Sequence, residues 1–220
     1  MSNTDSFIDE VSEEVRREQL WRLVRRWGWL PILLVVLLVG GATYNEIRKS
    51  NERAAAEALG DGITAALEGD IADRAQALDA LSPDGAGAAI VGFLTSAGEI
   101  DGDNPDAGVA RLAAIEADMN LPEHYRHLAT LKRIMATADT LAPDERIAAL
   151  GPLTVVGAPY RLLALEQTAI AQVEAGDAES AISGLRGILV DSEATEGLRR
   201  RATQLIVALG ADPSEAAATE

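Results

Sequence analysis

The chain contains no cysteine, which excludes disulfides, thiol nucleophiles and thiolate-bound metal. Histidine is almost as scarce, at two residues, so imidazole chemistry is confined to His124 and His127. They stand three apart behind Pro122 and Glu123, a spacing that can set both rings on one helical face. A metal centre needs a third or fourth ligand in a shaped pocket. The sequence identifies neither, and both rings are read as hydrogen-bonded surface histidines. Aromatic residues make up only 4%, and the dominance of alanine and leucine favours close-packed helices over sheets. Basic charge is thin where nucleic acid would need it. The net charge is −16, and the first 50 residues carry seven basic and seven acidic groups, so the whole excess falls on residues 51–220. A domain this acidic repels phosphate backbones and anionic lipid. Partners with basic or apolar surfaces remain.

The usual chemical motifs are missing as well. The acidic run at 101–106 would need an oxygen ligand at 105 and a bidentate glutamate at 112 to hold calcium. Those positions are Pro105 and Leu112, so the run reads as a turn between helices. Gly85, Ala86 and Gly87 lack the lysine and serine of a phosphate loop, and neither Ser96 nor Ser183 has an evident base beside it. The chain reads as non-enzymatic, with no cofactor, metal or small-molecule substrate expected.

What the chain does have is an uncharged run over residues 27–45, solidly aliphatic from 32 to 39. At ~1.5 Å per residue it reaches roughly 28 Å, about one hydrocarbon core. Trp27 and Trp29 at one end and Tyr44 at the other suit the two interfaces, and Pro31 falls in the first turn, where its missing N–H costs little. A single uncleaved transmembrane helix is therefore expected. Arg16, Arg17, Arg22, Arg25 and Arg26 precede it, against Arg48, Lys49 and Arg53 after it. That bias predicts a cytoplasmic N-terminus and a periplasmic C-terminal domain in a bacterial inner membrane. Residues 1–26 read as a cytoplasmic helix and candidate docking element, with Ile8, Val11 and Val15 on one face.

Beyond the run, Gly, Pro, Asn and Asp recur at intervals that cut the chain into pieces of ~10–20 residues with apolar residues at helical spacing. An all-α chain of antiparallel hairpins over residues 46–210 is predicted, with a polar, disordered tail at 211–220. Residues 153–156 form one doubtful, β-branched piece that could be extended. Leu165, Ala169, Gly176, Ala181 and Leu185 fall at tetratricopeptide spacings. Ala169 and Ala181 let two helices approach, and Gly176 takes a conformation that strains other residues. Leu198, Ala202 and Leu205 resemble the first helix of a further unit without a partner, as in the cap of a solenoid. Tyr125 and Tyr160 are candidates for a partner groove, since aromatics are otherwise few.

The N-terminal run, the stretch from His124 to Ala129, the stretch from Pro159 to Glu166 and the turn from Gly176 to Ala181 together resemble the ancillary SecYEG translocon subunit family of membrane-anchored, tetratricopeptide-like proteins, in its alphaproteobacterial form. The resemblance implies an adaptor that associates with the Sec translocon and with periplasmic chaperones or client chains. The alternative expectation is a scaffold of the envelope or division machinery that acts by self-association.

Overall fold

The computed structural model describes residue 25 and residues 29–214. It is helical, without a strand among the described residues: α1 Trp29–Glu68, α2 Ile71–Asp79, α3 Ala86–Asp101, α4 Pro105–Ala117, α5 Glu123–Ala136, α6 Pro143–Leu150, α7 Arg161–Glu174, α8 Ala178–Val190 and α9 Glu196–Ala208. The β-branched piece at 153–156 is not extended. A 3-10 turn over Gly151–Leu153 follows α6, because the burial of Leu153 in the core pulls the chain into a tight bend. Residues 211–212 belong to the fold rather than to a loose tail: the Ala211 N–H donates to the Ile206 carbonyl, and Arg186 donates to the Asp212 carbonyl. Residues 215–220 lie outside the described residues.

The expected membrane span is overturned. Among the described residues no helix is long and apolar enough to cross a membrane. The uncharged run does not form a helix of its own. It continues without a break into Glu46, Arg48, Lys49, Glu52 and Arg53 within the same 40-residue α1. Gly40, Gly41, Thr43 and Tyr44 make the turns before those charges less apolar. The single-pass inner-membrane placement falls with the span, as do the cytoplasmic N-terminus and the periplasmic assignment of the helical domain. Of the residues invoked for that topology, Trp29, Tyr44 and Arg25 are exposed; Trp27, Arg16, Arg17, Arg22 and Arg26 lie outside the described residues, as does the expected docking helix.

The chain divides into two compact units, residues 1–58 and residues 59–220. The second holds four apolar clusters, each shared by three successive helices. Ala66, Leu78 and Val91 join α1, α2 and α3. Ala89, Ile115 and Ala129 join α3, α4 and α5. Leu131, Ile134, Leu150 and Ala164 join α5, α6 and α7, and Ala169, Ala181, Leu185, Leu198, Ala202 and Ile206 join α7, α8 and α9. Each odd-numbered helix inside the string serves two clusters, while each even-numbered helix serves one. The last two hairpins run in step, since Ala178 starts α8 35 residues after Pro143 starts α6, and Glu196 starts α9 35 residues after Arg161 starts α7. Leu150 and Leu185, also 35 apart, are both fully buried.

Local chemistry sets the helix ends. The Gly176 N–H donates to Val173 and the Asp177 N–H to Gln172, the paired bonds of a Schellman cap, with Gly176 at φ 84°. Asp177 then caps α8 by accepting from the Ser180 N–H at 3.0 Å. Between α3 and α4 the backbones meet closely: a Cβ on Gly108 would lie 2.6 Å from the Ser96 carbonyl oxygen and 2.6 Å from Ile100.

These positions separate three fates of glycine. Gly176→Ala should destabilise the domain by about 1 kcal/mol through backbone strain alone, since nothing lies within 4 Å of the new carbon. Gly108→Ala should cost more, because a carbonyl stands in the way. Gly187→Ala, in the exposed interior of α8 with open space around it, should stabilise by roughly 0.5–1 kcal/mol. Urea unfolding of the three variants checks the order.

Candidate functional site

Two charged side chains are buried among the described residues, Arg146 at 3% exposure and Glu166 at 5%. Each is paired with a half-exposed partner of opposite charge. Arg146 on α6 bonds Glu174 on α7, and both oxygens of Glu166 on α7 accept from Arg201 on α9, each at 2.7 Å. Burying a lone charge costs several kcal/mol, so each buried group needs its partner. The Glu166 carboxylate, through these hydrogen bonds, holds the Arg201 guanidinium above its ordinary pKa.

Both pairs border one open trough. Leu131 and Met135 of α5, Leu163, Glu166, Gln167 and Ile170 of α7, and Arg201, Gln204, Leu205 and Ala208 of α9 line a cavity of about 600 Å³. Ile170, Leu205 and Ala208 continue into a second cavity of about 300 Å³ that reaches Val173, Glu174 and Leu209. From Leu163 to Glu174 the trough runs along α7 for about 16 Å, at 1.5 Å per residue. Its walls are mostly aliphatic, with Arg201 toward one end and Glu174 at the other. Arg201 and Leu163 also border a third, more polar cleft of about 650 Å³ at Tyr160 and Glu193. There Arg161 is held by Asp191 at 2.6 Å and Glu193 at 2.9 Å.

No protein-family model, curated protein or solved structure matches the chain.

Ala169, Ala181 and Leu185 meet in one buried cluster, and Gly176 turns the chain between the helices that carry them. Tyr160 packs against the Leu131, Ile134 and Leu150 cluster and lines the polar cleft. Tyr125 packs against Ala89, Ile115 and Leu121, away from the trough. His127 lies 3.3 Å from the Glu123 carboxylate one turn back, while the exposed His124 ring rests against Tyr125, centroids 4.4 Å apart. Among the described residues no group of three His, Asp or Glu side chains is placed to hold a metal.

Sequence reading misses the trough itself. Leu163 and Ile170 are apolar residues of a helix whose buried stripe is legible, but they lie off that stripe, while Leu205 packs against the last cluster and borders the trough as well. Arg201 sits within the run Arg199-Arg200-Arg201, where nothing local marks it. The available signal is the separation of Glu166 and Arg201 by 35 residues, the same step that relates the starts of α7 and α9.

The capping and bridging carboxylates fix how the domain responds to acid. Hydrogen bonds from Arg161 and then from the Glu193 N–H hold Asp191 below the usual carboxylate pKa; the Ser180 side chain and N–H do the same for Asp177. A depressed folded pKa gives stability that is complete above the unfolded value, near 3.9, and lost as pH falls through the folded value. Asp191→Asn should therefore flatten the acid limb of the stability curve and leave its neutral limb parallel to wild type, as read by Tm between pH 7 and pH 2.

Proposed function

We propose that the chain is a non-enzymatic protein-binding adaptor whose α5–α7–α9 trough receives a segment of a partner protein. The observation that carries this reading is the trough itself: a mostly aliphatic surface about 16 Å long, drawn from three helices and left open by the chain's own packing. Met135, at 53% exposure, stands on its wall without a partner cluster, and a methionine there adapts to varied apolar surfaces. The length suits roughly three turns of an amphipathic helix. Apolar anchors spaced at three and four residues would fill such a trough, in the helix-in-groove mode of recognition. The tetratricopeptide-like spacings from Leu165 to Leu185, and the in-step hairpins they fall in, support a repeat domain of the kind that binds along a lined face. The motif resemblance to the ancillary translocon family supplies the partners to test first, translocon subunits and the chaperones that receive emerging chains.

The test is photo-crosslinking in cells from Met135, Leu163 and Gln204 on the trough, with Val190, exposed at the end of α8, as the control. Adducts to a translocon subunit or a chaperone from the three trough positions, absent from Val190, are the expected result. Equal adducts from all four positions would remove the trough from the account. Met135→Asp should abolish the trough adducts while shifting stability by no more than about 0.5 kcal/mol, as for other exposed positions.

A further inference from the structure

The two buried charges do more than join helices. Arg146 and Glu166 are the only charged side chains among the buried described residues, and both stand behind the trough. Each turns the opposite charge outward. Arg201 keeps 51% of its side chain exposed over Glu166, and Glu174 keeps 44% exposed over Arg146. The trough therefore has a cationic end and an anionic end, separated by the step from Glu166 to Glu174, about 12 Å of helix. At the cationic end, Glu166 takes the Arg201 Nε and Nη2 and leaves Nη1 outside that pairing. Elsewhere in this chain the guanidinium fork joins two carboxylates at once. Arg111 on α4 takes both Asp79, through Nη1 and Nη2, and Glu99, through Nε and Nη2. Arg201 offers the same second position to whatever lies in the trough.

We infer that the trough selects an amphipathic helix bearing an acidic side chain against Arg201 and a basic one against Glu174, about two turns apart, with aliphatic residues between them. This rests on the trough being a protein-binding site and names what that site reads. A forked guanidinium rewards a carboxylate in its plane more than any neutral acceptor. The two opposed ends fix the direction in which the helix lies, since reversal would bring like charges together. The domain's acidic surplus adds that the rest of the segment is neutral or basic, because a net acidic one is repelled before it docks.

The probe is a displayed library of helix-forming peptides about 14 residues long, long enough to span the trough, panned against the full chain. Selected peptides should carry an Asp or Glu and a Lys or Arg seven or eight positions apart, flanking aliphatic residues. Replacing that acid by its amide should weaken Kd by about 5–30-fold on wild type, in the range of a charge-assisted hydrogen bond. On the variant Glu166→Gln/Arg201→Gln, whose two amides can still bond each other, the same replacement should change Kd less than about twofold. Should that variant not fold, Arg201→Lys keeps a charge beside Glu166 and removes the fork, and the loss should again shrink. Selected peptides lacking the paired charges, or equal losses on wild type and variant, would overturn the inference and leave the trough as an apolar binding site. A library that yields no trough-dependent binder would overturn the binding site and the inference together.

Discussion

Every odd-numbered helix inside the string must bury two faces at once, and the rest of the domain is built around that requirement. A helix shared between two clusters cannot carry large side chains on both sides without forcing its neighbours apart. The crossings are accordingly built from Ala89, Ala129, Ala164 and Ala169, all almost fully buried. Leucine and isoleucine on adjacent helices fill the space between them. The same requirement explains Gly108, where α3 and α4 come so close that even a methyl group meets a carbonyl.

Guanidinium pairs cross-link what the small residues bring together. Arg111 ties α4 to Asp79 of α2 and Glu99 of α3, Arg133 ties α5 to Glu116 of α4, and Arg161 ties α7 to the turn after α8. These three are partly solvated, and each adds little beyond its geometry. Arg146 and Glu166 differ because they are buried. A buried ion pair is often no more stabilising than well-packed apolar groups of the same volume, so stability alone gives no reason to put charge there. Their position behind the trough does. Each holds an exposed opposite charge in a fixed place on a surface that is otherwise mostly aliphatic.

The helical class, the hairpin turns and the buried stripe of the α7–α8 hairpin are legible because they depend on residues near one another in sequence. Gly176 announces its own turn, and Ala169, Ala181 and Leu185 repeat at helical spacing. The trough is not legible, because its walls come from three helices that alternate with α6 and α8 along the chain, and the pairing of Glu166 with Arg201 crosses 35 residues. The span misleads for a different reason. The absence of charge over 27–45 reads as a span, whereas among the described residues no helix is long and apolar enough to cross a membrane. Tyr125 and Tyr160 show the limit of composition as a guide. Rarity draws attention to both, yet each is occupied in packing a cluster, and the apolar walls of the trough are made of leucine, isoleucine, methionine and alanine.

A string of clusters also limits how far a local event can travel. Stability in such an arrangement is approximately a sum over neighbouring interfaces, so opening of one end need not open the other. The trough lies over α5, α7 and α9, and these helices carry the last two clusters and one side of the cluster before them. A segment bound there adds its free energy to those clusters by mass action. The cluster at Ala66, Leu78 and Val91 shares none of these helices and is stabilised only through α3 and α5. Binding thus tightens the C-terminal part of the string first. The buried pairs sit where that tightening falls, between α6 and α7 and between α7 and α9, so an occupant that completes the outer charges acts on the same contacts that hold the last hairpins in register.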